Sequence, residues 1–322
     1  MTRTPAPPTL ASLLGADNYR HLLSHYSQKT LYRTRLAETA AESILTLDDL
    51  QDILNTRRLS FPRCRLIRDG KPLNPAGYNE EGPTALGERI VKIAPERVME
   101  AVSSGATLAI DFIEDLSAQV GHLAGAIATE FQERTGATAF FSTGSSKGFT
   151  THWDNSETFI FQLSGQKKWD IWAPMFDSPV SDNKHDLPPP SSAPSESLTL
   201  EENDFLYLPR GYWHAPEPCG SHSLHISFAF RPRNGIDFTK YLLQKLGTEL
   251  KFRQDIDKSI SGVALQEYVD TLYGVLRKIM TPENLISFLT ESSHRKFIST
   301  PFCIEQMIDG GLKHEKKRND RK

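Results

Sequence analysis

The sequence predicts a mainly β protein flanked by helices. Three observations point to that class. From Ala137 to about Phe230, short apolar runs alternate with turn residues, the pattern of a β-sandwich or barrel. Before it lie helical segments with recognisable caps. After Asn234-Gly235, apolar residues return to helical spacing.

Residues 1–18 read as a loose arm that enters a short helix near Leu10 to Leu14, and Tyr19 to Tyr26 reads as a helix. A further helix runs from Leu47 to Leu54. Thr46 offers its N-cap hydroxyl, and Asp48 and Asp49 place acids in the positive first turn. Cys64 to Arg68 is a short strand, followed by a loop from Asp69 to Gly82. Ala94 to Ser103 starts as a helix with Pro95 in its first turn, where no backbone donor is needed. Thr107 to Phe112 is a strand and Leu116 to Thr135 a long helix. Ser178 to Ser197, with Pro188-Pro189-Pro190, is too proline-rich for a central strand and is an irregular loop. The C-terminal helices span Phe238 to Leu250, Leu265 to Ile279 and Pro282 to Leu289. Leu242, Leu243, Leu246, Leu250, Leu272, Leu276 and Ile279 exceed what one helix pair buries, which predicts a homodimer through residues 236–300.

The 322 residues suffice for one large domain with additions or two modest ones. A net charge of −3 gives no general drive towards nucleic acid or an anionic membrane, so neither is an expected partner. The basic runs Arg57 to Arg68 and Lys313 to Lys322 read as solvated charge. Three separated cysteines, Cys64, Cys219 and Cys303, argue against a disulfide framework or a cysteine zinc site. No apolar run reaches membrane-spanning length, and the first residues lack a signal-peptide pattern. A cytoplasmic setting is the expectation.

The chemistry starts at Thr151-His152-Trp153-Asp154. In a strand, residues i and i+2 share a face, so His152 and Asp154 converge. An imidazole and a carboxylate so placed make two-thirds of a facial triad, which leaves positions on Fe(II) open for substrate and oxygen. His214 supplies the third ligand. It follows the apolar run Phe205 to Leu208 and the turn Pro209-Arg210-Gly211. Downstream of the HxD pair, Phe159 to Leu163 is an apolar strand, Ser164-Gly165 a turn, and Lys167 to Trp172 a new strand. Period two sets Lys167 beside Trp169 and Ile171 on the inward face. A buried cation needs an anionic partner there, and Lys168 is the solvated one. In Ser223 to Phe230, Ser223, His225 and Ser227 share one face. Ser227 has a hydroxyl for a carboxylate; His225 is either a further polar group of the pocket or a packed core histidine, and not a metal ligand.

With these residues in view, the stretch from Phe149 through Trp169 resembles the JmjC-type cupin 4 oxygenases, which include the ribosomal oxygenases. The shared features are the HxD, the Gln162-Leu163-Ser164-Gly165 strand end, the basic residue with Trp169, the Pro-x-Gly turn before His214, and the His222-Ser223-Leu224-His225-Ile226-Ser227 strand. The resemblance covers roughly residues 20–235. It implies a double-stranded β-helix (jelly-roll, cupin) core at 126–235, an α+β segment at 1–125 packed on it, and a C-terminal helical dimerisation segment at 236–322. It also implies Fe(II), 2-oxoglutarate and O2, with His152, Asp154 and His214 on the metal and Lys167 on the distal carboxylate. Ser227 lies near that carboxylate, residues from Phe141 to Gly148 line the mouth, and Thr151 completes the cofactor-binding set. Ser27 and Thr30 stand where many members carry Trp and Pro, and Ser145 where the ribosomal oxygenases have Asn. About ninety residues follow the barrel, too few for the winged-helix domain of those proteins.

The implied reaction is hydroxylation of a peptide or protein side chain, in a ribosomal protein or a natural-product precursor peptide. Demethylation of N-methyl-lysine is possible by the same chemistry. Two other classes share the metal site: a metal-dependent cupin enzyme that does not use 2-oxoglutarate, and a non-catalytic cupin binding protein. Lys167 on the inward face speaks against the first, and the complete triad against the second.

Overall fold

The computed structural model describes residues 8–144, 148–175, 177–181, 183 and 188–294. Twelve strands are described: β1 Tyr32–Arg35, β2 Cys64–Arg68, β3 Lys71–Pro72, β4 Asn79–Pro83, β5 Arg89–Ile93, β6 Thr107–Asp111, β7 Thr135–Thr143, β8 His152–Trp153, β9 Glu157–Trp172, β10 Glu196–Leu200, β11 Asp204–Leu208 and β12 Trp213–Phe230. Helices α1 Leu10–Leu14, α2 Ala16–Gln28, α3 Leu47–Thr56, α4 Pro95–Ser103 and α5 Ala118–Phe131 precede β7. Helices α6 Gly235–Leu246, α7 Leu250–Arg253, α8 Gly262–Ile279 and α9 Pro282–His294 follow β12.

Two long strands organise the β part. The first half of β9 pairs with β11, and its second half with β10. Strand β12 runs antiparallel to β9 through both halves, with β7 flanking its end and β8 its beginning. One layer therefore runs β1-β11-β9-β12-β7-β6-β2-β3, and the ends of β9 and β12 cross into a second layer with β10 and β8. This is the double-stranded β-helix, or jelly roll, with two sheets facing each other across a core.

Alternation along the strands decides what each layer buries. Phe159, Phe161, Phe205, Tyr207, Leu224, Ile226, Phe228 and Phe230 face the N-terminal helices and join Leu10, Leu22, Ile44, Leu50, Val120 and Ile127 in the main core. The opposite face turns inward. There Ile160, Leu206 and Leu208 meet Trp169, Ile171 and Leu200 of the second layer in a smaller cluster.

Parity along β9 switches at a bulge. Leu224 sits opposite Ser164 but His225 sits opposite Gln162, so Leu163 is an extra residue. Thr158 and Ile160 face inward before it, and Lys167 and Trp169 after it. Gly165 permits this change. Its φ is +65°, and a Cβ there would lie 2.1 Å from the carbonyl oxygen of His222.

The Thr46 cap of α3 is present, reciprocated by Asp49 at N3, and β2 spans the residues expected. Several expectations need correction. Ser164-Gly165 is no hairpin turn, because β9 runs through it. The segment after Asp69 holds β3 and β4, the latter paired with β5 in a separate two-stranded sheet. Strand β1 was not anticipated; its polar sequence, Tyr-Arg-Thr-Arg, hides an edge strand whose Arg33 and Arg35 reach the buried carboxylate of Asp204. The helix expected to reach Thr135 stops at Phe131, and the one expected to reach Leu250 stops at Leu246. In 178–197, residues 182 and 184–187 lie outside the described residues; β10 takes over at Glu196.

Replacing Gly165 by Ala forces a side chain into left-handed backbone against a carbonyl. It is expected to destabilise the chain by about 2 kcal/mol, read as a lowered urea midpoint at unchanged slope.

Candidate metal and co-substrate site

The pairing of β8 with β12 builds the centre. His152 lies directly opposite His214, and Trp153 opposite Trp213. Alternation turns both tryptophans into the protein, where each is buried, and leaves the two imidazoles side by side with ring centroids 4.2 Å apart. Asp154 follows at once. Its Oδ2 lies 4.0 Å from His152 Nε2 and 3.7 Å from His214 Nε2. One ligand atom from each of the three falls within 4.8 Å of the others, spacing that a single ion can bridge.

Local backbone orients each imidazole. His152 Nδ1 donates to the Thr150 carbonyl at 2.7 Å, and His214 Nδ1 donates to the Tyr212 carbonyl at 3.1 Å. A carbonyl only accepts, so the proton of each neutral ring sits on Nδ1 and the Nε2 lone pair faces Asp154. The turn before β12 is tied to the same place, since the Gly211 amide donates to the Asp154 carbonyl at 2.9 Å. Gly211 has φ +89°, and a Cβ there would lie 2.6 Å from Pro179 Cγ. His214 is nearly sealed at 5% side-chain exposure, whereas His152 and Asp154 open to solvent at 35% and 42%. Access to the ion is thus from one side.

Inward from the triad is a cavity of about 230 Å³ between the two layers. Ile160, Trp169 and Leu208 give it apolar wall, and Thr138, Ser156, Thr158 and Ser227 give it hydroxyls. Lys167 lines it with 1% exposure, and among the described residues no carboxylate pairs with its ammonium. Burial pulls that ammonium down from its ordinary 10.5 to about 7. His225 stacks on Phe140 at 4.8 Å between ring centroids and meets the Trp169 indole edge-on. Burial, and secondly the charge of Lys167, hold His225 well below the usual imidazole range, so it is neutral. The buried Trp169 Nε1 and His225 Nδ1 have no hydrogen-bond partner among the described residues.

The structure thus brings His152, Asp154 and His214 together, and sets Lys167 and Ser227 on one cavity. Phe141 is a correction. It packs against the main core opposite Leu224, while Phe140, opposite the cavity-facing His225, forms the wall. Cross-strand partners share a face, so the parity of His225 was the signal for Phe140. Thr151 is not part of the lining either; the wall there is Phe149. Within the mouth segment 141–148, residues 145–147, and Ser145 with them, lie outside the described residues. Trp169 was expected on the inward face and His225 as either a further polar group of the pocket or a packed core histidine; that both carry an unpartnered ring nitrogen was missed. The unpartnered nitrogens that mark them exist only once both are buried.

Comparison with known proteins points the same way. Residues 117–238 match the family model described as the JmjC domain. The relatives that follow carry names of ribosomal oxygenases and histidyl-hydroxylases, which this chain resembles. It is 27% identical over 236 residues to "Bifunctional lysine-specific demethylase and histidyl-hydroxylase NO66" of Dictyostelium discoideum, covering 70% of this chain and 43% of that protein. It is 29% identical over 223 residues to ribosomal oxygenase 1 of Gallus gallus, covering 63% of this chain and 36% of that one. The chain therefore spans less than half the length of these curated relatives. Among solved structures, YcfD of Escherichia coli superposes with a TM-score of 0.60 at 17% identity, covering 91% of this chain and 76% of that one. YcfD in complex with cobalt and 2-oxoglutarate superposes with a TM-score of 0.59, also at 17% identity, covering 92% and 78%. At that identity the likeness is one of fold.

Lys167 makes the ligand-free chain pH-sensitive. Its folded value, about 7, lies below its ordinary 10.5. Between those limits the unfolded chain holds the extra proton, so stability rises with pH, by up to about 1.4 kcal/mol per unit from this group. Below about 7 both states are charged and the slope vanishes. Lys167→Met is expected to flatten this window and to stabilise the ligand-free chain by about 1 kcal/mol or more near pH 7. Urea titrations of both proteins at several pH values check it.

Proposed function

We propose that the chain is an Fe(II)- and 2-oxoglutarate-dependent oxygenase that hydroxylates a C–H bond on a peptide or protein side chain. One observation carries this reading: a His-Asp-His set, open to solvent on one side, shares its cavity with a buried lysine that has no carboxylate partner among the described residues. The donors fit the group. Two neutral imidazoles and one carboxylate suit Fe(II) and leave positions free, and a dicarboxylate with one end near the ion supplies what Lys167 lacks.

When bound, Fe(II) with 2-oxoglutarate supplies the oxidation: O2 gives one oxygen to the substrate C–H and one to succinate, with release of CO2. The chain's own residues position and shield. His152 and His214 present Nε2 because Thr150 and Tyr212 hold their Nδ1 protons. Lys167 pairs with the far carboxylate, which restores its ammonium to the charged form. Trp169 donates its indole N–H, and Ser227 offers a hydroxyl on the same wall. Phe140, Ile160 and Leu208 keep bulk water from the space between.

Relatives named ribosomal oxygenase support a ribosomal protein as the substrate. The Dictyostelium discoideum relative's name covers both demethylation and histidyl hydroxylation, and the same site chemistry serves either. A gain of one oxygen atom on the product marks hydroxylation, and formaldehyde marks demethylation. The cytoplasm is the proposed setting; no helix among the described residues is long and apolar enough to cross a membrane. Residues 236–300 are the proposed dimer interface, of which 295–300 lie outside the described residues. In support, α8 buries none of its residues fully, and Leu243, Val263, Leu265, Val269, Tyr273 and Ile286 are exposed.

Succinate release is expected to require both Fe(II) and 2-oxoglutarate. Asp154→Ala is expected to lower it at least about 100-fold, since it removes the only anionic ligand. Turnover by that variant at the wild-type rate would overturn the triad. Lys167→Met is expected to raise the KM for 2-oxoglutarate at least about tenfold, by loss of a charge-assisted bond. Sedimentation at micromolar concentration tests the dimer, which a monomer would exclude.

A further inference from the structure

We propose that the Asp69-Gly70 turn of the N-terminal segment is a positioning element for the metal centre. It acts on His152 through the backbone of residues 148–150, and it rests on the reading of the triad as a metal site.

The chain of contacts is short. Gly70 joins β2 to β3 with φ +74°, a conformation that glycine adopts without strain. Its amide donates to the Gly148 carbonyl at 2.9 Å. Its Cα face lies flat on Thr150, so that a Cβ there would sit 2.6 Å from both Thr150 Oγ1 and Cγ2. Thr150 is the residue whose carbonyl takes the His152 Nδ1 proton. From the other side, Thr107 of β6 closes on Gly148. A Cβ at Gly148 would lie 2.1 Å from Thr107 Oγ1. The segment that aims His152 is therefore gripped between a turn and a strand that both precede the jelly-roll strands in sequence.

The physical need for such a grip is local. Strand β8 has two residues, and its pairing with β12 fixes His152 only at one edge. Without outside support, the Thr150 carbonyl is free to rotate, and the Nδ1 proton loses its partner. A ligand whose orienting acceptor is displaced binds its ion more weakly, typically by 10–100-fold.

The test is a titration of the metal-free full chain with Co(II), followed by its visible absorption, without turnover. Three variants are compared with the wild type. Gly70→Ala places a methyl against Thr150. Gly87→Ala adds the same left-handed strain at φ +81° in the β4–β5 hairpin, where nothing lies within 4 Å of the added Cβ. Thr150→Ala removes the contact without strain. Gly70→Ala is expected to bind Co(II) about tenfold more weakly than Gly87→Ala, with altered absorption bands, and Thr150→Ala is expected to fall between. Equal affinity in Gly70→Ala and Gly87→Ala would overturn the proposal. Should Gly70→Ala not fold, wild-type affinity in Thr150→Ala would overturn it instead. A wild-type chain that binds no Co(II) would refute the metal centre itself, a separate outcome.

Discussion

The antiparallel pairing of β9 with β12 is the constraint on which the site depends. These strands are 16 and 18 residues long and lie side by side through both layers of the jelly roll. Their pairing is interrupted at Cys219/Ser223 and again at Leu224/His225. Each interruption changes which residues face inward. The one at Leu163 turns Lys167 and Trp169 into the cavity that Thr158 and Ile160 already face. A strand of strict alternation through Leu163 would have buried Lys168 and left Lys167 in water.

Once β12 is in place, its first residues deliver His214 opposite His152, and its last residues carry His225 and Ser227 along the same cavity. One strand thus serves both the metal end and the co-substrate end. The cost is an interior that is poorly satisfied without ligand. Among the described residues, Trp169 Nε1 and His225 Nδ1 are buried and receive no hydrogen-bond partner, and the buried Lys167 has no carboxylate partner. Each such group costs about 1–3 kcal/mol, and an isolated charge more. The ligand-free chain relieves part of this by lowering the Lys167 value and by keeping His225 neutral. The main core, with its packed cluster of Phe131, Phe159, Phe205 and Phe230, supplies the compensating burial on the other face of the same sheet.

Orientation at the metal end comes from backbone carbonyls. Thr150 and Tyr212 each lie two residues before the histidine they hold, so the ligand and its orienting acceptor travel on one segment. Such an arrangement is insensitive to the identity of the intervening side chains. It is sensitive to where the backbone runs, and Gly70, Gly148 and Gly211 are the positions at which neighbouring chain comes too close for a Cβ.

The amino-acid order alone determined much of the layout. Period-two spacing set His152 with Asp154, and Lys167 with Trp169, because alternation is a property of any extended strand. The alternation of His225 and Ser227 against Leu224, Ile226 and Phe228 was equally legible, as were the Thr46 cap and the strand at Cys64–Arg68. What only the tertiary structure decided depends on pairs distant in sequence. Phe140 rather than Phe141 became wall because its partner across the sheet is His225. Ser164-Gly165 became part of one continuous strand, just past the bulge at Leu163, because β12 pairs on both sides of it. The edge strand Tyr32–Arg35 forms against β11, distant in sequence, and its arginines reach the buried carboxylate of Asp204. Nor does any local pattern reveal that the turn at Gly70 touches Thr150. Local periodicity reports which residues share a face; which neighbour that face meets is settled only by the register of the closed fold.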